Sequence, residues 1–149
     1  MKIIASNKRA SFDYFLESKF EAGISLDGSE VKSIRDGGIS INESFIFADG
    51  EELFLKNAYI KPYEKASSYL PDSKRTRKLL LHKREIIKII KEKTLKGLTV
   101  VPTKVYLKDG LIKIEIALAK GKKNYDKRQT LADKDAKMQI QRAIKKVAN

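Results

Sequence analysis

The side chains with the clearest chemical potential in this sequence are cations, and they occur in groups. The densest group is Lys120-Gly121-Lys122-Lys123-Asn124-Tyr125-Asp126-Lys127-Arg128. Positions 120 to 149 hold ten Lys or Arg and three Asp, so this last fifth of the chain carries +7 of the total net charge of +13. Desolvating several ammonium groups together costs more than packing returns. We therefore expect a solvated basic arm here, with the body of the protein before it.

The remaining cations are also clustered, at Lys8-Arg9, Lys74–Lys78 and His82–Arg84. Solubility alone would favour charges of mixed sign. Clustered positive charge indicates an anionic partner, and nucleic acid is the leading candidate. A basic protein without a specific partner is the alternative.

Residues suited to catalysis are sparse. The chain has no cysteine, which excludes disulfides, thiolate catalysis and zinc sites built from Cys. Its single histidine, His82, stands beside Lys83 and Arg84, and neither a nucleophile nor further metal ligands cluster with it. The HExxH, P-loop and GxSxG patterns are missing. We therefore expect no enzyme, no metal site and no cofactor.

Length and hydropathy predict one globular body in the cytoplasm. A chain of 149 residues is long enough to bury its own core. The apolar stretch within residues 1–9 is too short for a signal peptide. No apolar run approaches the roughly 18 residues of a membrane span, so we expect no membrane segment.

Alternating apolar residues predict several short antiparallel strands. In residues 13–26 the alternation places Phe20, Ala22, Ile24 and Leu26 on one face and Glu21, Gly23 and Ser25 on the other. Hairpins are predicted around Asp49-Gly50 and Asp109-Gly110. In the first hairpin, Phe45 and Phe47 are expected to face Leu53 and Leu55.

Two helices are predicted between these strands. A short one spans Glu30–Arg35, with Ser29 as its N-cap and Gly37-Gly38 after its end. A longer one runs from about His82 to Lys96, and its apolar stripe comprises Ile86, Ile87 and Ile90. Residues 63–78 are expected to form a long polar connection.

These elements predict a mainly β fold: a small antiparallel OB-fold-like barrel with a short and a longer helix, over residues 1–119. A two-layer α+β sheet is the alternative. Residues 120–149 form the basic C-terminal tail, in which Thr130 and Asp133 resemble a capping box before a cationic helical pattern. We expect this tail to be disordered when free and helical on binding; a permanent helix packed on the barrel is the other possibility.

Seven segments, in their order along the chain, carry a family resemblance. They are Asn7-Lys8-Arg9-Ala10, Tyr14-Phe15, Phe20–Gly23, Gly28–Ser33 with Arg35, Arg75–His82 with Arg84-Glu85, Ala119–Lys123 and Asp126–Arg128. Together they resemble the SmpB family of SsrA-binding proteins, which act in bacterial trans-translation. One departure is Phe12, where the family often has a histidine; an aromatic ring at that position retains the capacity to stack on a base.

The resemblance implies an adaptor that binds the tRNA-like domain of transfer-messenger RNA (tmRNA, or SsrA RNA) and guides it into ribosomes stalled without a stop codon. It implies elongation factor Tu in the delivery complex, a monomeric protein, and no catalysis. The implied RNA-binding residues are Lys8, Arg9, Glu21, Arg75, Arg77, Lys78, Leu80 and His82. The implied tail residues for the small-subunit decoding centre and the empty mRNA path are Lys120, Lys122, Lys123, Asp126, Lys127 and Arg128.

Two other functions remain open at this point. One is a general basic RNA-binding or ribosome-associated protein whose arm threads ribosomal RNA. The other is an RNA-modifying enzyme that depends on His82.

Overall fold

The computed structural model describes residues 1–63, 70–123, 127, 128, 131 and 138. Within these residues, nine strands and three helices follow one another. They are β1 (Lys2–Ser6), α1 (Ala10–Asp13), β2 (Tyr14–Ile24), α2 (Gly28–Arg35), β3 (Ile39–Ser40), β4 (Phe45–Asp49), β5 (Glu52–Lys56), β6 (Tyr59–Ile60), β7 (Arg77–Leu80), α3 (Lys83–Lys96), β8 (Thr99–Lys108) and β9 (Leu111–Gly121). None of the helices in this part of the chain is long and apolar enough to cross a membrane.

Seven strands form one antiparallel sheet in the order β1-β8-β9-β2-β7-β5-β4, and β3 pairs separately with β6. Strand β4, at one end of this order, returns close to β8. No ladder of hydrogen bonds joins β4 to β8 in the described residues, so the sheet curls without closing. The mainly β, antiparallel, OB-fold-like architecture is confirmed, with an open seam between β4 and β8.

Two helices cover the inner face of the sheet. Ile34 of α2 and Ile89 of α3 are completely buried, in one hydrophobic cluster with sheet residues such as Leu55, Leu79 and Ile114. Each side chain of this size contributes roughly 1.5–3 kcal/mol when it is fully removed from water. This core fixes the positions of the strands that carry the candidate site.

The longer helix, α3, has the predicted bounds, and Ile86 and Ile90 pack on the core as predicted, but Ile89 takes the place of Ile87 in the apolar stripe. It begins after His82 and ends at Gly97, whose φ of 62° is the left-handed conformation that glycine adopts easily. Ile86 and Ile89 are buried, whereas Ile87 is 46% exposed. Consecutive helical residues point about 100° apart, so Ile87 turns away from the face shared by Ile86 and Ile89.

The shorter helix, α2, starts earlier than predicted. Its N-cap is Asp27 and not Ser29. The backbone N–H of Asp27 donates to Oε1 of Glu30 at 3.0 Å, which is one half of a capping box. The helix ends as predicted, before Gly37 with its φ of 84°.

Strand β7 is a correction to the sequence prediction. Residues 77 and 78 were expected to end a polar connection, but Arg77–Leu80 lies between β2 and β5 in the sheet. Its side chains alternate, with Arg77 and Leu79 buried and Lys78 and Leu80 exposed. The alternation was hidden because a charged residue occupies a core position.

The β4–β5 hairpin forms at the predicted turn, but two of its side chains face the other way. Ile46 pairs with Leu55 on the buried side, and Phe47 pairs with Phe54 on the outer side. The prediction that Phe45 and Phe47 face Leu53 and Leu55 is therefore wrong. Side chains alternate strictly along a strand, so neighbours of the buried Ile46 must point outward.

Candidate nucleic-acid interface

Glu30, in the first turn of α2, is the buried acid around which two of the predicted cations are arranged. Only 3% of it is exposed. Arg77 donates to Oε2 of Glu30 from Nε at 2.8 Å and from Nη2 at 2.6 Å. It also donates to the backbone carbonyls of Ala58, Ser73 and Arg75. Arg77 is 0% exposed, so it cannot contact a phosphate directly, and the prediction that it does is corrected. Arg77 instead stabilises the fold.

The two buried charges stabilise each other. Burial lowers the pKa of Arg77, and the hydrogen bonds to Glu30 oppose that effect. Burial would raise the pKa of Glu30, but hydrogen bonds from Arg75, the Asp27 backbone and Arg77 outweigh it, so the pKa of Glu30 is lowered from 4.5. Glu30 is therefore a carboxylate at neutral pH.

Arg75 extends this network to the surface. Its Nη2 and Nε donate to Oε1 of Glu30 at 2.5 Å and 3.2 Å, and Nη2 also donates to the carbonyl of Ser25 at 3.3 Å. Its side chain is 30% exposed. A guanidinium fixed on one edge and open on the other is ready to accept an anion, because no side-chain ordering remains to be done.

Three predicted residues, Glu21 of β2 with Lys78 and Leu80 of β7, lie on the outer side of the sheet, and His82 follows β7 as the exposed N-cap of α3. We call these four residues the β2–β7 surface. Leu80 is 51% exposed and is the register partner of Gly23, two residues from Glu21. A methyl group added at Gly23 would lie 3.3 Å from Cβ of Leu80. Glycine at position 23 therefore gives the Leu80 side chain room to stand on the strand.

Glu21 contacts two groups that the sequence did not indicate. Its Oε2 accepts a hydrogen bond from the Tyr106 hydroxyl at 2.5 Å and another from Lys108 Nζ at 3.3 Å. The Tyr106 hydrogen bond is the largest cause that lowers the pKa of Glu21. Burial, and then the hydrogen bond to Glu21, raise the pKa of Tyr106. Tyr106 and Lys108 thus both donate to the carboxylate of Glu21, and the Lys108 ammonium lies beside it at the surface.

Lys78 lies on the outer side of β7, two residues before Leu80. Its Nζ is 3.0 Å from Oε1 of Glu52, and the two side chains are 47% and 50% exposed. Ion pairs this exposed contribute little to stability. A phosphate can therefore replace Glu52 as the partner of Lys78 at small cost.

Lys8 and Arg9 do not join this surface. Both precede α1, and Arg9 Nε lies 3.7 Å from Oδ2 of Asp13. Helix α1 leads into the start of β2 at Tyr14, whereas Gly23 is near its end. Nine positions of extended strand span roughly 30 Å. The predicted RNA-binding residues therefore fall into two separate groups.

The beginning of the predicted tail lies beside α1. Strand β9 continues through Lys120 and Gly121, so the first residues assigned to the tail belong to the sheet. Lys122 then donates from its backbone to the carbonyl of Asp13 at 2.8 Å and from Nζ to the carbonyl of Ser11 at 2.9 Å. Its ammonium also lies 4.9 Å from the centre of the Phe15 ring.

Lys127 makes a second connection to the same helix. Its Nζ is 3.4 Å from Oδ1 of Asp13 and 6.0 Å from the centre of the Phe12 ring. We call Lys8, Arg9, Lys122 and Lys127 the α1–tail surface. Asp126 and most of the tail helix expected after Thr130 lie outside the described residues.

Three residues that organise these surfaces carried only weak signals in the sequence. Glu30 stands three residues after Asp27, the spacing of a capping box, but its arginine partners are 45 and 47 residues away. Tyr106 and Asp13 act through partners 85 and 114 positions distant. Among the described residues, no group of three or more His, Cys, Asp or Glu could hold a metal ion.

A small, strongly basic antiparallel β-protein that exposes cations and a leucine on its sheet, and a histidine just after strand β7, has the features of a nucleic-acid-binding protein. The family model described as SmpB protein matches residues 4–146. The chain belongs to the SmpB family.

Curated relatives are similar over nearly the whole chain. The SsrA-binding protein of Thermoanaerobacter pseudethanolicus is 51% identical over 145 residues, which cover 97% of this chain and 93% of that protein. The SsrA-binding protein of Shouchella clausii is 52% identical over 144 residues, covering 97% and 92%. A solved structure described as "tmRNA-SmpB: a journey to the center of the bacterial ribosome" matches with a TM-score of 0.66 and 46% identity, over 80% of this chain and 84% of that chain.

Proposed function

We propose that this chain binds the tRNA-like domain of tmRNA and delivers that RNA to stalled ribosomes in trans-translation. Its membership of the SmpB family and its SsrA-binding relatives support this function. The single structural observation that carries it is the β2–β7 surface. There an exposed leucine shares the outer face of the sheet with two lysines, Lys78 and Lys108, each paired with a surface carboxylate that a phosphate can replace.

The chemistry of this surface suits folded RNA, which proteins recognise by shape, phosphates, 2′-hydroxyls and unstacked bases. Lys78 and Lys108 would contact phosphates, and Arg75 would contribute its exposed edge. Leu80 would lie against the apolar face of a base or ribose. Glu21 accepts the hydrogen bonds from Tyr106 and Lys108 at Oε2, so Oε1 would accept one from a base edge or a 2′-hydroxyl.

The basic tail would serve the ribosome, whereas Lys8 and Arg9 would contact phosphates of the bound RNA. Lys120, Lys122, Lys123, Asp126, Lys127 and Arg128 would enter the small-subunit decoding centre and the empty mRNA path. The protein would act in the cytoplasm as a monomeric adaptor without catalysis, together with elongation factor Tu during delivery. The separation between the start and the end of β2 supports this division into two surfaces.

Binding to RNA is the first test. The purified protein is titrated with the tRNA-like domain of tmRNA, with ordinary tRNA as competitor, across a salt series. Preference for the tRNA-like domain that persists at high salt is expected. Equal affinity for both RNAs, falling steeply with salt, would mean only counterion release from a basic surface. That result would favour the general RNA-binding alternative.

A truncation tests the division between the surfaces. Ending the chain after Lys123 keeps β9 and the Lys122 contacts with α1. This variant is expected to bind RNA like the full chain and to lose ribosome rescue. The full-length Leu80→Ala variant is the matched control, since it should lose RNA affinity first. If the truncation lost as much RNA affinity as Leu80→Ala, the division would be wrong.

A further inference from the structure

Three phenylalanines form a row on the outer side of the β4–β5 hairpin. The rings of Phe47 and Phe54 are stacked, with centroids 5.4 Å apart and planes 22° apart. The Phe45 ring follows at 6.4 Å from Phe47, and Phe45 is 41% exposed. We call these residues the phenylalanine row.

The core does not require this row. The opposite side of the same hairpin already supplies Ile46, Leu53 and Leu55 to the buried cluster. A strand with one face on the core and one in water normally carries polar residues on the wet face. Phe45 is exposed and Phe47 and Phe54 are half-buried. Apolar groups that lie together at the surface indicate a binding surface.

The position of the row indicates what covers it. Phe54 is the register partner of Lys78, which belongs to the β2–β7 surface, so the row continues the proposed RNA interface across one strand. Phe45, at the other end, is the register partner of Lys56. Both ends of the row therefore adjoin a lysine. Aromatic rings beside cations are the combination that binds unpaired nucleotides, with the base on the ring and the phosphate on the cation.

Acidic residues restrict the path of such an RNA strand. Asp49, Glu51 and Glu52 are all at the turn end of the hairpin. Phosphates would be repelled there, so the strand is expected to cross the row near Phe45 and Lys56 and to reach Lys78 by displacing Glu52, the ion-pair partner of that lysine.

We propose that Phe45, Phe47 and Phe54 form a stacking site for unpaired bases of the bound RNA. This inference rests on the proposed function and adds a second contact region to it. Phenylalanine offers no hydrogen bond, so the site is tolerant of base identity. Its ligand is a short single-stranded stretch or loop within the folded RNA.

The test compares variants that keep or remove the aromatic ring. Phe47→Ala and Phe45→Ala are expected to bind the tRNA-like domain about 5- to 100-fold more weakly, the range for the loss of one base–aromatic stack. Phe47→Tyr is expected to bind like the natural protein, and Phe47→Leu to bind about 5-fold more weakly, since leucine keeps apolar area but not the ring face. Leu95→Ala is the matched control, because Leu95 is 74% exposed on α3.

Salt dependence separates stacking from charge. The phenylalanine variants should keep the slope of log affinity against log salt, whereas Lys78→Gln should reduce that slope by nearly 1. A 2-aminopurine placed in the unpaired loops of the RNA should lose fluorescence on binding to the natural protein and recover it with Phe47→Ala. Thermal unfolding checks that each variant is folded. If Phe47→Ala does not fold, Phe47→Leu replaces it in the comparison.

Two results would overturn the proposal. Unchanged RNA affinity in Phe47→Ala and Phe45→Ala, with Leu80→Ala still weakened, would leave the proposed function intact and remove the row from it. Concentration-dependent self-association that these variants abolish, without any change in RNA affinity, would assign the row to contact with a second copy of the chain.

Discussion

The ammonium nitrogen of Lys127 lies 3.4 Å from Oδ1 of Asp13, so an ion pair joins the beginning of the basic tail to helix α1. The two side chains are 33% and 25% exposed. The Asp13 carboxylate also forms an ion pair with Arg9, and its backbone carbonyl accepts a hydrogen bond from the backbone N–H of Lys122. One short helix thus positions both groups of cations on the α1–tail surface.

Asp13→Asn is expected to loosen this connection. An ion pair of this exposure contributes about 0.2–1 kcal/mol, so trypsin should cleave after Lys123 and Lys127 about 1.4 to 5 times faster. Limited proteolysis followed by mass spectrometry measures the rates. Asp36→Asn, an exposed change at the end of α2, is the control. The difference should disappear at 1 M salt, where exposed charges are screened; equal rates at low salt would contradict the prediction.

Leu79 and Leu80 are adjacent residues with opposite roles. Leu79 is 1% exposed and Leu80 is 51% exposed. Leu79→Ala is expected to reduce the free energy of unfolding by about 2–5 kcal/mol, and Leu80→Ala by less than about 1 kcal/mol. Leu80→Ala should weaken binding of the tRNA-like domain roughly 5- to 30-fold, as expected for the loss of 1–2 kcal/mol of apolar contact. Urea denaturation and RNA titration measure the two effects, and a large stability loss in Leu80→Ala would count against this assignment.

Glu30→Gln should destabilise the protein in a pH-dependent way. At pH 7 it leaves the buried Arg77 without its counter-charge, which costs about 3–5 kcal/mol. The pKa of Glu30 is lowered from 4.5 in the folded protein, so its contribution is present above that pH and is lost as the pH falls through the folded pKa. The difference between the natural protein and the variant should therefore narrow below pH 4.5.

Urea denaturation at several pH values measures this difference. Glu52→Gln, which removes an exposed carboxylate from the Lys78 pair, is the control and should change stability by less than about 0.5 kcal/mol. A constant difference between pH 7 and pH 3 would show that Glu30 contributes through packing and not through its charge.

Tyr106 should ionise only at unusually high pH. Burial and the hydrogen bond to Glu21 raise its pKa above 10.0, so the folded state holds this proton more tightly than the unfolded state does. The contribution to stability is present below pH 10.0 and is lost as the pH rises through the folded pKa. Absorbance titration at about 295 nm, natural protein minus Tyr106→Phe, should have its midpoint above pH 10.0. Glu21→Gln should bring this midpoint closer to 10.0, and a midpoint already at or below that value would refute the assignment.

Local patterns were sufficient to predict much of this fold. Both glycine turns at Asp49-Gly50 and Asp109-Gly110, the bounds of α3 and the alternation of β2 depend on neighbouring residues, and the sequence contains those. Orientation was harder to predict where both faces of a strand are apolar. In β4 and β5 the buried Ile46 and Leu55 alternate with Phe45, Phe47 and Phe54, so hydrophobicity could not decide which face was inside.

The misassigned residues depend on distant partners. The sequence around Arg77 predicts an exposed cation, because its buried partner, Glu30, is 47 positions away. Burial of a charge requires such a partner, and its identity follows only from the sheet order that brings β7 beside β2. Leu80 sits in a run of three leucines, and only its register with Gly23 determines that it is the exposed one.

Strand β2 also has a mechanical consequence. It pairs with β9 from Tyr14 to Gly23, with one irregularity between Leu16 and Lys19, and with β7 at its far end. No loop interrupts this strand, so a rotation applied at one of its ends is expected to reach the other end. If RNA bound at Leu80 rotated together with the protein, Gly121, where the tail begins, would rotate by the same angle. If RNA binds at Leu80 as proposed, its orientation and that of Gly121 would therefore be coupled through β2 and β9.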